Sequence, residues 1–324
     1  MRFGLALPQY GFSLDGAPVG FEVAADWARR AERLGFDSVW LSDHFFYSFA
    51  RYGGDPAPIS ALEPMTTLAG LAAVTSRVRL GTLVLCAAFR DPVTLARMVH
   101  TIDAISHGRL DLGIGAGWLQ QEFDAFGFES GGVGERFSVL EETLAALSAP
   151  PNQASVPIWV GGKGGPRLLR LAARYAAGWN TVWRVDPAAH AARIDAARQA
   201  CREVGRDPAT FRLSVGLYTV VGQDEDSARE AFERARAAFP GGAMAGETWE
   251  SWCADTLSGS PQQAIDRVRE FEALGVEEIV VSTGVLPFSI HSPQIVEMVA
   301  DQVIAPLRLG ATGAIGAERP SQEP

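Results

Sequence analysis

Eight times along this chain a short apolar run gives way to a segment of helical periodicity, and no shift in composition interrupts the series. The apolar runs are Arg2–Leu7, Ser38–Leu41, Val78–Leu85, Leu110–Ile114, Ile158–Val160, Gly178–Thr181, Leu213–Val221 and Glu278–Ser282. Near-continuous apolarity, without strict alternation, is the pattern of strands buried on both faces of a parallel sheet. The helical segments between them start at cap-and-proline signals such as Asp91-Pro92 and Ser260-Pro261, and one stops at Gly35. Eight strand–helix units predict an α/β fold, a (β/α)8 TIM barrel with insertions, spanning 1–307 as one domain. The polar, Gly- and Pro-bearing stretch 308–324 is expected to be a disordered tail. A doubly wound open sheet is the competing architecture, but no Gly-x-Gly-x-x-Gly follows the first strand.

A formal charge of −10 argues against a general nucleic-acid binder. No apolar stretch reaches the length of a membrane span, and the first residues carry no secretory pattern, so a cytoplasmic location is expected. The three cysteines, Cys86, Cys201 and Cys253, match no zinc spacing and read as small apolar residues. No metal site is expected.

In parallel α/β folds, ligands sit at the carboxyl ends of the strands. Ser42-Asp43-His44 ends the second strand, which places a carboxylate beside an imidazole able to carry protons near neutrality. The alternative is a capping Asp and a loop-filling His. Gly161-Gly162-Lys163-Gly164-Gly165 lies between a strand and a helix, where free backbone N–H groups and a helix start suit a phosphate. Gly115-Ala116-Gly117-Trp118 could let a flat ring lie against backbone. Arg90 puts a cation near the mouth, with Asp91 or another acid as its expected partner. His100, His107, His190 and His291 are given no chemical role.

Taken together and in order, these motifs resemble the bacterial luciferase-like superfamily, in particular its deazaflavin (coenzyme F420)-dependent oxidoreductase branch. The resemblance runs from Met1 to about Leu307. It rests on Gly35-Phe36-Asp37-Ser38-Val39-Trp40, Ser42-Asp43-His44, Arg79-Leu80-Gly81-Thr82, Gly108-Arg109-Leu110, Gly115-Ala116-Gly117-Trp118, the glycines at 161–165 and Ala177-Gly178-Trp179-Asn180. It implies a cofactor bound at the barrel mouth and hydride transfer to or from an organic substrate. His44 then matches the catalytic imidazole over the ring, which assists proton and hydride movement, and Asp43 the catalytic acid beside it that contacts the ring. Leu83 and Val84 match a bulge with a non-proline cis peptide backing the ring. Gly115, Ala116 and Gly117 match the loop along the ring, and Gly161, Gly162, Lys163, Gly164 and Gly165 the phosphate site.

Sugar-phosphate dehydrogenases of the family place a glutamate where this chain has Trp118, which leaves Glu122 as the candidate substitute. FMN-using members tend to carry Glu-His-His where this chain has Asp43-His44-Phe45, so F420 is favoured over FMN. An FMN-dependent monooxygenase and a non-catalytic flavin carrier are the alternatives. The aromatic loop Phe45–Leu62 suggests either a hydrophobic substrate or a self-packed lid. A homodimer is expected from the family, through apolar surface on the second helix (Met65, Leu68, Leu71 and Ala72).

Overall fold

A computed structural model describes residues 1–14, 17–128, 131–153 and 155–309; the expected tail lies outside them from 310 onward. Eight parallel strands form the barrel: β1 (Arg2–Ala6), β2 (Ser38–Leu41), β3 (Arg79–Thr82), β4 (Leu110–Gly115), β5 (Ile158–Gly161), β6 (Gly178–Trp183), β7 (Arg212–Val221) and β8 (Glu278–Thr283). Each strand pairs with its successor, and β8 pairs with β1, so the sheet closes on itself. Eleven α-helices occur among the described residues. They are α1 (Phe21–Arg33), α2 (Pro64–Val74), α3 (Pro92–Ser106), α4 (Gln120–Phe126), α5 (Val133–Ser148), α6 (Pro166–Tyr175), α7 (Pro187–Glu203), α8 (Glu225–Ala237), α9 (Trp249–Ala254), α10 (Pro261–Ala273) and α11 (Pro293–Met298). The main apolar core lies between the sheet and the helices.

Capping explains several helix starts. Asp91 accepts the N–H groups of Val93 and Thr94 with Pro92 at the first helical position, and Ser260 accepts from Gln263 ahead of Pro261. Three elements depart from the sequence-based reading. The third apolar run is broken: β3 stops at Thr82, and Leu85–Cys86 resumes pairing with β4. Helix α4 lies within the loop after β4, and α9 with the strand Leu257–Gly259 extends the excursion after β7. The apolar residues of α2 are not a surface. Met65, Leu68, Leu71 and Ala72 are buried in the core, because α2 packs against the barrel between α1 and α3. They therefore give no support to a dimer.

Inside the barrel one indole does much of the filling. Trp40 is fully buried, and a Cβ on Gly4 or on Gly81 would run into its side chain. A glycine within a strand can mark a bulge or the close approach of a ligand, but Gly81 makes room for this ring, the large-beside-small arrangement that tight barrels require. The Trp40 indole N–H donates to Ser38 Oγ at 2.8 Å, and Ser38 donates to Glu278 at 2.5 Å. Burial raises the Glu278 pKa above the usual carboxylate range, and Arg2 at 2.8 Å opposes the shift. Gly81→Ala is expected to destabilise the protein by about 1–3 kcal/mol through overpacking against Trp40, read as a lower urea midpoint.

His190, on α7, lies tilted against Trp179 with centroids 5.0 Å apart, and among the described residues its Nδ1 has no hydrogen-bond partner. Burial, with a contribution from Arg193, lowers its pKa from 6.5 to about 4. The native state therefore keeps this imidazole neutral, while the unfolded chain takes up a proton below about pH 6.5. Its contribution to stability is complete above that pH and is lost as pH falls toward 4, amounting to at most about 3 kcal/mol. Unfolding free energies measured between pH 7 and 4 should fall less steeply in His190→Gln than in the parent.

Candidate active site

Every strand delivers residues to one cavity of about 560 Å³ at the carboxyl-terminal mouth, within the usual range for small-molecule sites. His44 follows β2, and its side chain is 15% exposed. Its Nδ1 lies 2.8 Å from Glu122 Oε2. Glu122, on α4, is almost wholly buried, and its other oxygen accepts the Phe45 N–H at 2.6 Å. With the carboxylate accepting from Nδ1–H, the imidazole keeps Nε2 as its exchangeable nitrogen. Trp118 meets the His44 ring edge-on at 5.6 Å and is half exposed.

Asp43 has both oxygens engaged. Oδ2 accepts the Cys86 N–H at 2.8 Å and Arg90 Nη1 at 2.6 Å, and Oδ1 accepts Arg90 Nη2 at 2.9 Å. The partner of Arg90 is thus Asp43 rather than its neighbour Asp91, joined by Glu63 at 2.6 Å. Burial alone would lower the guanidinium pKa, but Asp43 and Glu63 raise it above its ordinary value. Glu63 also caps α2, accepting from Met65 and Thr66. Although burial would raise its pKa, these N–H groups and Arg90 hold it low. Tyr10 is bonded to Ser42 Oγ, and burial pushes its phenol pKa up. Gln9 fixes Ser42 from the other side, accepting its N–H at 2.6 Å and donating to its carbonyl at 2.8 Å. Cys86, at the cavity wall, has its thiol pushed up to about 12, chiefly by burial, and is no ready nucleophile.

The wall formed by β3, β4 and β5 is smooth. Leu83 and Val84 line it, joined by a cis peptide, and a Cβ on Gly161 would press into Val84. Gly115, Ala116 and Gly117 continue the surface, with Gly117 at φ +76°. A flat ring fits against such a surface. Gly161, Gly162 and Lys163 also reach the cavity. Gly162 spends its N–H on the Asn180 carbonyl at 3.0 Å, and its own carbonyl accepts from Trp179 at 2.8 Å. Gly164 packs on Trp179, and Gly165 forms the N-cap of α6; neither is part of the cavity wall. The cradle presented to a ligand is therefore shorter than the five-residue run.

Sequence reasoning did not single out Tyr10, Trp183, Tyr218 or Phe288, all at the cavity wall. The available signal was position, since Tyr10 and Trp183 lie at or just past strand ends. The aromatic loop after β2 divides: Phe45 packs with Phe89, Phe126 and Phe128, while Tyr47 and Tyr52 reach the cavity. One part of the loop is packed on itself and on its neighbours, and the other faces the cavity.

Residues 1–278 match the sequence profile of the luciferase-like monooxygenases. The chain belongs to this family. It is 30% identical over 259 residues to a phthiodiolone/phenolphthiodiolone dimycocerosates ketoreductase of Mycobacterium sp. (strain JLS), covering 68% of this chain and 67% of that one. Its fold is similar to that of an F420-dependent secondary alcohol dehydrogenase solved with an F420-acetone adduct, with a TM-score of 0.74, 19% identity, and 94% and 98% of the two chains covered. The monooxygenase RslO1 of Streptomyces bottropensis is comparable, with a TM-score of 0.71, 23% identity, and 95% and 100% covered. The protein is thus a luciferase-like oxidoreductase. No helix among the described residues is long and apolar enough to cross a membrane.

Arg90→Leu leaves the fully buried Asp43 carboxylate unpaired and should cost about 3–5 kcal/mol of unfolding free energy, measured by urea denaturation.

Proposed function

We propose that this luciferase-like oxidoreductase transfers a hydride between coenzyme F420 and an organic carbonyl–alcohol pair, with His44 carrying the accompanying proton. The observation that supports this most directly is the His44–Glu122 pair at 2.8 Å on the edge of the cavity that Val84, Gly115 and Gly161 also line. Similarity to a ketoreductase and to an F420-dependent alcohol dehydrogenase favours the carbonyl–alcohol couple. Asp43-His44-Phe45, in place of the Glu-His-His of FMN-using members, favours the deazaflavin.

Leu83, Val84 and Gly115–Gly117 would hold the ring, and Gly161, Gly162 and Lys163 the phosphate. A bound deazaflavin supplies or accepts a hydride and reacts little with oxygen. The chain supplies the proton chemistry. In the reducing direction His44 gives a proton from Nε2 to the substrate oxygen, and in the oxidising direction it takes one back. Glu122 holds the Nδ1–H and steadies the imidazolium in both directions. Asp43 is a positioning residue: through Arg90 and the Cys86 N–H it fixes the chain from which His44 projects. An imidazole open to the cavity counts against a non-catalytic carrier, which would need it covered.

An FMN-dependent monooxygenase is the second reading, favoured by the likeness to RslO1. Parallel titrations with F420 and FMN separate the two. Tight FMN binding with no F420 binding would replace the first reading with the second. With F420 bound, His44→Ala should lower kcat by about 10²–10⁴-fold with little change in cofactor affinity. Glu122→Gln should lower kcat by a smaller factor.

A further inference from the structure

The half of the mouth facing away from the glycine wall is a continuous arc of rings. Tyr47 meets Tyr10 at 5.5 Å, Tyr10 meets Phe288 at 6.3 Å, Phe288 meets Trp183 at 5.3 Å, and Trp183 stacks on Tyr218 at 5.7 Å. These five residues come from β6, β7 and the loops after β1, β2 and β8, whereas the smooth wall comes from the ends of β3, β4 and β5. The arc is braced from behind: Tyr218 also stacks on Trp252 at 5.4 Å, whose indole N–H donates to Ser258 at 3.0 Å. Tyr10 and Tyr47 spend hydroxyl contacts on Ser42 and Tyr52, so ring surface dominates what they offer.

The charges at the wall are equally selective. Among the described residues, the one Lys or Arg lining the cavity is Lys163, which follows β5 on the glycine side. Arg90, behind the wall, is committed to Asp43 and Glu63. Glu122 and Asp43 are the acids of the wall. An anionic substrate would meet no cation on the aromatic side and a carboxylate beside His44.

We infer that the substrate is an uncharged ketone or secondary alcohol bearing an aromatic ring, seated against the Tyr47–Tyr10–Phe288–Trp183–Tyr218 arc with its oxygen toward His44. The assignment of the reacting oxygen rests on the proposed function; the preference for a neutral, ring-bearing molecule rests on the arc itself. Planar rings stack favourably on such a surface, and a carboxylate there would lose its hydration without a partner.

Equilibrium dialysis of the full chain, with and without saturating F420, against acetophenone, 4-acetylbenzoate and acetone tests the inference. Acetophenone is expected to bind at least about tenfold more tightly than either of the others, and Tyr218→Leu to remove about that factor. F420 turnover should follow the same order, with one hydride and one proton added per ketone reduced. Equal or tighter binding of 4-acetylbenzoate or acetone, binding of none of the three, or a preference unaffected by Tyr218→Leu would overturn the inference. Selective acetophenone binding in a protein that takes no F420 would overturn the cofactor reading alone and leave the substrate class standing.

Discussion

The guanidinium of Arg90 ties together the parts of the molecule on which the site depends. It bonds both oxygens of Asp43 at the end of β2 and reaches Glu63, which caps α2. Asp43 in turn receives the N–H of Cys86, just beyond the break that ends β3. A carboxylate withdrawn from water survives as an ion only with such compensation. The same contacts set the direction in which the chain leaves β2, and so where His44 stands. Electrostatic satisfaction and placement of the imidazole are one requirement here.

Glu122 works from the opposite side. It belongs to a short helix in the loop after β4, yet it engages the imidazole and the N–H that follows it. His44 is therefore held between a network rooted in β2, β3 and α2 and an acid borne on α4. Glu122 lies on a loop helix and not on a barrel strand, which is how a common barrel can carry different chemistry on its loops.

The strands and most helices were legible because their signals are local: apolar runs, Asp-Pro and Ser-Pro starts, a stopping glycine. His44 was legible because strand ends are where barrels place ligands. The partners were not. Asp43 and Arg90 are separated by 47 residues, and His44 and Glu122 by 78. Such pairings are set by how neighbouring strands and their loops stack, which periodicity does not report. For the same reason Gly81 resembled a ligand contact, when its neighbour across the sheet is Trp40. The apolar circumference of α2 was visible, but its burial between α1 and α3 was not. The glycine run at 161–165 was read correctly as a loop before a helix, while the part of it facing the cavity depended on where the chain turned.

Trp40, set between Gly4 and Gly81, also decides how the cavity communicates with solvent. With Trp159 and Leu83 it belongs to a layer of buried side chains packed across the barrel interior, and below it Glu278 is paired with Arg2 and Ser38. The vessel is closed at its base. Among the described residues, the imidazole faces the rim of the cavity beside the indole of Trp118, the side from which water and exchangeable protons approach it. Anything seated at the rim is therefore also a stopper, and its fit governs how dry the chamber becomes.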